Sequence, residues 1–167
     1  MQNRYAGDVS DYGKLALLKA LDEQLKVGVN WYLVDAPDEK TNDGRHIQYL
    51  NKTESELFQC DPQLARQLKE VVGSERSVFN LEKILQNITY NNAVVPVENR
   101  ARWHEDAVST LRKCDIVFLD PDNGLLVPSV KKTASKSVKY IFEEEAARYY
   151  AEGCSVVFYN HRSREPK

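Results

Sequence analysis

Four short apolar runs constrain this chain more than any other feature of its sequence. Residues 29–34, 93–97, 115–119 and 155–159 are mainly apolar at successive positions. They lack the polar–apolar alternation of a strand with one wet face, so they predict strands covered on both sides. Segments with helical period lie between them. Residues 11–25 carry Leu15, Leu18, Leu21 and Leu25 on one face, with Ser10 or Asp11 as N-cap and Gly28 just past the end. Asp61-Pro62 opens a helix through residue 72, with Leu64, Leu68 and Val71 on one face. Residues 80–87 and 102–112 predict two more helices. Residues 137–151 predict a last one, stopped by Gly153.

Strands alternating with helices predict a single α/β domain over residues 1–167, a Rossmann-like three-layer sandwich with a mostly parallel sheet. Such a domain often continues into another helix and an edge hairpin. Residues 161–167 supply neither, so the sheet is expected to lack that hairpin, through truncation or through a smaller fold. Ligands of open parallel sheets bind beyond the carboxyl ends of the strands. That rule puts Asp35, Glu98, Asp120, Asp122, Asn160 and His161 on one rim.

Composition narrows the function classes. Hydrophobic residues are 42% of the chain and charged residues 29%, an ordinary globular balance. The formal net charge of −2 provides no global basic field to attract nucleic acid. Lys131, Lys132, Lys136 and Lys139 form a local basic stretch, with Arg162 and Arg164 near the end; a solvated face is the simpler reading of such a run. Cys60, Cys114 and Cys154 are far apart and form no Cys-x-x-Cys pair. The three histidines lack paired ligand spacing, which argues against a zinc site. No signal-type or membrane-spanning run is present in the sequence, so a cytoplasmic protein without a membrane partner is expected.

Asp120-Pro121-Asp122-Asn123-Gly124 carries the most chemical information. Pro121 stiffens a turn at a strand end, Gly124 permits positive φ, and Asp120, Asp122 and Asn123 then offer acceptors and donors at a crevice. The alternative is an Asx-rich turn that only caps the next helix. Glu143, Glu144 and Glu145 are most simply a solvated helix face at a favourable dipole end.

Asp-Pro after an apolar strand resembles motif IV of class I S-adenosylmethionine-dependent methyltransferases that act on amino groups. Tyr5, Gly7, Asp8, Asp11 and Lys14, ahead of a Leu-rich helix, are similar to the start of the large-subunit ribosomal RNA adenine-N6 methyltransferases. The resemblance implies S-adenosylmethionine as cofactor and a nucleic acid or nucleotide as substrate. It implies Asp120, Pro121, Asp122 and Asn123 as catalytic residues, with Asp120 accepting from the target amine. Tyr5, Gly7, Asp8, Lys14, Asp35 and Gly44 would serve the cofactor. Asp122 and Asn123 stand where the family has a second Pro and an aromatic, and the segment after the first strand holds one glycine.

Two other classes use the same residues. Asp35, Asp120, Asp122 and His161 are hard ligands of the type that Mg²⁺ takes in a phosphohydrolase or nuclease. Asn160, His161 and Arg162 would then contact the substrate phosphate and relay a proton. A non-catalytic domain that binds a nucleotide or a protein is the third reading.

Overall fold

The computed structural model describes residues 1–35 and 44–160. The chain falls into two compact units. One comprises Met1, Lys26–Val34 and Thr89–Lys167; the other comprises Gln2–Leu25 and Asp35–Ile88.

The first unit holds the sheet: β1 (Val27–Asn30), β2 (Thr89–Asn91), β3 (Ile116–Leu119) and β4 (Ser155–Phe158). All pairings are parallel and the order is β2-β1-β3-β4, the Rossmann-like α/β arrangement that the apolar runs imply. Every residue of β1 and β3 is buried, so β3 is an unbroken apolar run and even the polar Asn30 of β1 lies inside. The chain leaves β1 for β2 on one side and returns to β1's other flank with β3. The strand order therefore reverses between β1 and β3.

Several boundaries differ from expectation. The first strand begins at Val27, so Gly28 lies inside β1 and does not end a helix. A Cβ on Gly28 would meet Cys114 Sγ at 2.9 Å and Leu111 Cδ2 at 3.1 Å, so close packing explains this glycine. The second strand is Thr89–Asn91, not residues 93–97, of which Val94 makes one isolated bridge to Leu33. Pro96 has no N–H for a ladder, whereas an edge position tolerates Thr and Asn. The helix expected over residues 137–151 is split into a 3-10 turn, Ser135–Lys139, and the helix Glu143–Ala151. The sheet unit's other helix, Arg100–Leu111, starts two residues early behind Asn99, whose φ is 58°.

The second unit is helical. Its first helix, Val9–Asp22, is α1. Its N-cap is Asp8, which accepts from Ser10 N at 3.3 Å, in place of the expected Ser10 or Asp11. Glu56–Cys60 is α2, and α3 is Pro62–Gly73, opened by Asp61 accepting from Leu64 N at 3.0 Å. Val78–Glu82 is α4, shorter than the helix expected over residues 80–87. Leu15 and Leu18 of α1, with Leu64, Ala65 and Leu68 of α3, form this unit's buried core. The two helices of the sheet unit, Arg100–Leu111 and Glu143–Ala151, are α5 and α6.

Candidate functional site

The carboxyl ends of β1 and β3 meet where the strand order reverses, the place where open parallel sheets bind ligands. Asp120 N donates to Asn30 O at 2.9 Å and extends the ladder one residue past β3. Asp120 is fully buried, Pro121 is buried, and the Asp122 side chain is only 5% exposed. Of the two acids and the amide expected to offer acceptors and donors at a crevice, Asn123 alone is exposed. The cause is a backbone fold-over. Asn123 N donates to Lys139 O, Ile141 N to Gly124 O and Leu126 N to Ile141 O, each at 2.9 Å.

Two acceptors of this turn and one from the segment after β1 converge on one nitrogen. Met1 N donates to Tyr32 O at 3.1 Å and to Asp120 O at 3.0 Å, and it pairs with Asp122 Oδ1 at 2.9 Å. Asn160 joins from the end of β4, where its Oδ1 accepts from Leu125 N at 3.2 Å. Gly124 has φ 90°, and a Cβ there would collide with the Asn160 amide. His161 and Arg162 lie outside the described residues. Asp35 does not directly follow the first strand, since β1 ends at Asn30; it is exposed and belongs to the helical unit. Glu98 is exposed as well.

Tyr32 is a strained point of the sheet unit. It is fully buried with φ 46°, a left-handed conformation that non-glycine residues seldom adopt. Such outliers cost about 1–3 kcal/mol and persist where surrounding structure enforces them. The enforcing partners went unseen in the sequence. Tyr32 OH donates to Glu145 Oε2 at 3.1 Å, and Arg100 holds Glu145 through Nε at 2.6 Å and Nη2 at 3.0 Å. Arg100 also donates to Ser137 O at 2.9 Å and Tyr140 O at 2.5 Å, and it stacks 3.8 Å from the Phe142 ring centroid. Phe142 N completes the set by donating to Glu145 Oε2 at 3.0 Å. Glu145 is therefore not part of a solvated face; it is 5% exposed. Burial, then the Glu145 charge, raises the Tyr32 pKa and keeps its hydroxyl a donor. No sequence signal distinguishes Glu145 from Glu143 and Glu144 except its place at the third residue of the helix, where a Glu reaches back to the N-terminus.

Beside this network Asn30 Nδ2 donates to Tyr149 OH at 3.0 Å, and His104 packs edge-on to Tyr149 at 5.2 Å. His104 is 5% exposed, and burial lowers its pKa below 6.5. A neutral buried His opposes acid: the unfolded chain takes up a proton below pH 6.5 while the folded chain does not. Its contribution is present above pH 6.5 and is lost as pH falls toward the folded pKa. Urea titrations at pH 7.5 and 5.5 should show the wild type losing more stability than His104→Leu over that interval. Equal losses would mean that His104 is not the group involved.

In the helical unit the residues singled out near the amino terminus do come together. Asp11 Oδ2 accepts from Gly7 N at 2.9 Å and its Oδ1 pairs with Lys14 at 3.2 Å; Asp8 Oδ2 accepts from His46 N at 2.9 Å. Gly7 and Gly44 have φ 85° and 73°. A Cβ on Gly44 would meet Tyr5 Cδ1 at 2.6 Å, and one on Gly7 would collide with Val72. These carboxylates and glycines organise the unit's own backbone. Among the described residues no group of three His, Cys, Asp or Glu side chains is placed to hold a metal ion.

Fold and site together define an α/β protein of the open parallel-sheet class with a buried acceptor cluster at its switch point. No protein-family model matches this chain, and no curated protein or solved structure is significantly similar to it. Among the described residues no helix is long and apolar enough to cross a membrane.

Proposed function

We propose that the Asp120 turn receives a substrate amine, and that the protein is a methyltransferase-like enzyme. It would act on an amino group of a nucleotide or nucleic acid, with S-adenosylmethionine as methyl donor. The observation that carries this reading is the acceptor set Tyr32 O, Asp120 O and Asp122 Oδ1, all within 3.1 Å of a single nitrogen. An amine about to be methylated needs its N–H groups held so that its lone pair faces the incoming carbon. Buried acceptors hold it more strongly than exposed ones would. The substrate amine would take the place Met1 N holds, with Asp120 and Asp122 as acceptors, Pro121 fixing the turn, and Asn123 and Asn160 on the substrate side.

When bound, S-adenosylmethionine supplies an electrophilic methyl group on sulfur. Support for its place comes from Tyr32, whose φ of 46° turns the backbone just after β1, where open parallel sheets bind their ligands. Free thiols at Cys60, Cys114 and Cys154 fit a reducing cytoplasm.

The test pairs thermal shift with transfer of a labelled methyl group to nucleotides and oligonucleotides. S-adenosylmethionine should raise the melting temperature, since it binds only the folded chain. Asp122→Ala, which removes the one side-chain acceptor of the set, should reduce transfer by about 10²–10³-fold with unchanged circular dichroism. Full transfer by that variant overturns the reading. A shift with Mg²⁺ and none with S-adenosylmethionine would favour the hydrolase.

A further inference from the structure

The lysine stretch has a built structure that the proposed function leaves unused. Between Leu125 and Phe142 the chain carries Lys131, Lys132, Lys136 and Lys139 and no acid. That is +4 in a chain whose net charge is −2, which leaves −6 on the remainder. The loop leaves the Asp-Pro turn and returns to it, closed by the backbone bonds from Asn123, Leu126 and Ile141 described above. Its returning arm is fastened by Arg100, through the carbonyls of Ser137 and Tyr140. A merely solvated charge run requires no buried arginine to shape it.

The lysines are also available. Lys132 pairs with Glu144 and lies 5.2 Å from the Phe142 ring. Lys131, Lys136 and Lys139 form no ion pair with a described residue; Lys131 and Lys136 are exposed and Lys139 is partly so. Three unneutralised ammonium groups on a closed loop suit successive phosphates of a flexible polyanion. One phosphate group of a mononucleotide would engage only part of the set.

We infer that this loop is the docking surface for the phosphodiester backbone of a single-stranded nucleic acid, held beside the Asp120 turn. The inference rests on the amine-site reading for the purpose of docking, and the docking itself is measurable without any cofactor.

Fluorescence anisotropy with labelled 20-nucleotide RNA and DNA strands provides the test. With three phosphates neutralised, wild-type affinity should fall roughly 20-fold between 50 and 200 mM salt. Lys131→Gln/Lys136→Gln/Lys139→Gln, checked for native circular dichroism, should bind at least tenfold more weakly at 50 mM salt and with a flattened salt slope. Unchanged binding by that variant overturns the inference. So does wild-type preference for vesicles containing phosphatidylserine, which would assign the loop to a membrane surface. Strand binding that depends on the loop without methyl transfer supports docking and removes the methyltransferase reading. Methyl transfer by wild type together with strand binding that the variant retains in full does the reverse.

Discussion

Arg100→Met should lower the free energy of unfolding by about 3–5 kcal/mol, the loss expected when one member of a buried ion pair is removed. Arg100 and Glu145 are 8% and 5% exposed, so neither charge can turn to water for compensation. The variant leaves the Glu145 carboxylate with only Tyr32 OH and Phe142 N as donors. Glu145→Gln should cost less, because the amide oxygen still accepts and the Arg100 cation keeps the carbonyls of Ser137 and Tyr140 and the Phe142 ring. Arg100→Met/Glu145→Leu should recover much of the loss, since two apolar groups of similar volume need no partners. Urea titrations of the three variants measure this. A double variant as unstable as Arg100→Met would mean that packing, rather than the orphaned charge, is responsible. Hydrogen exchange adds a local readout: the amides of Asn123 and Ile141 should exchange faster in Arg100→Met, because the lysine loop has lost that fastening.

Tyr32→Ala should cost about 3–5 kcal/mol, the usual loss for deleting a fully buried aromatic ring. Tyr32→Phe keeps the ring and removes one of three donors to Glu145 Oε2, so about 1 kcal/mol is expected. The sharper comparison is Tyr32→Gly against Tyr32→Ala. Glycine ordinarily ranks about 0.5–1 kcal/mol below alanine in regular structure. With φ at 46° the order should invert, because glycine alone adopts that conformation without steric cost. Thermal melts of the two variants read the sign directly. An alanine variant more stable than the glycine variant would show that the backbone at residue 32 is not left-handed.

The class of fold was legible because burial on both faces leaves an unbroken apolar run, as at Ile116–Leu119. The Asp-Pro turn was legible for a related reason: Pro and Gly act on their own backbone whatever surrounds them. Boundaries were less so. The strand Thr89–Asn91 is polar and an edge, and its pairing is fixed by β1 rather than by its own side chains. Gly28 resembled a helix terminator because its actual reason, the approach of Cys114 and Leu111, lies more than eighty residues away.

The site divides the same way. Sequence by itself determined that acids follow the most apolar strand and that four lysines follow the acids. Only the tertiary structure decided that Asp120 and Asp122 are buried, that Tyr32 is strained beside them, and that Arg100 and Glu145 are the pair holding both Tyr32 and the lysine loop. The physical reason is distance along the chain. Local propensities are written in neighbouring residues, whereas a buried charge is tolerated only through partners, here 45 residues apart, that the folded sheet brings together.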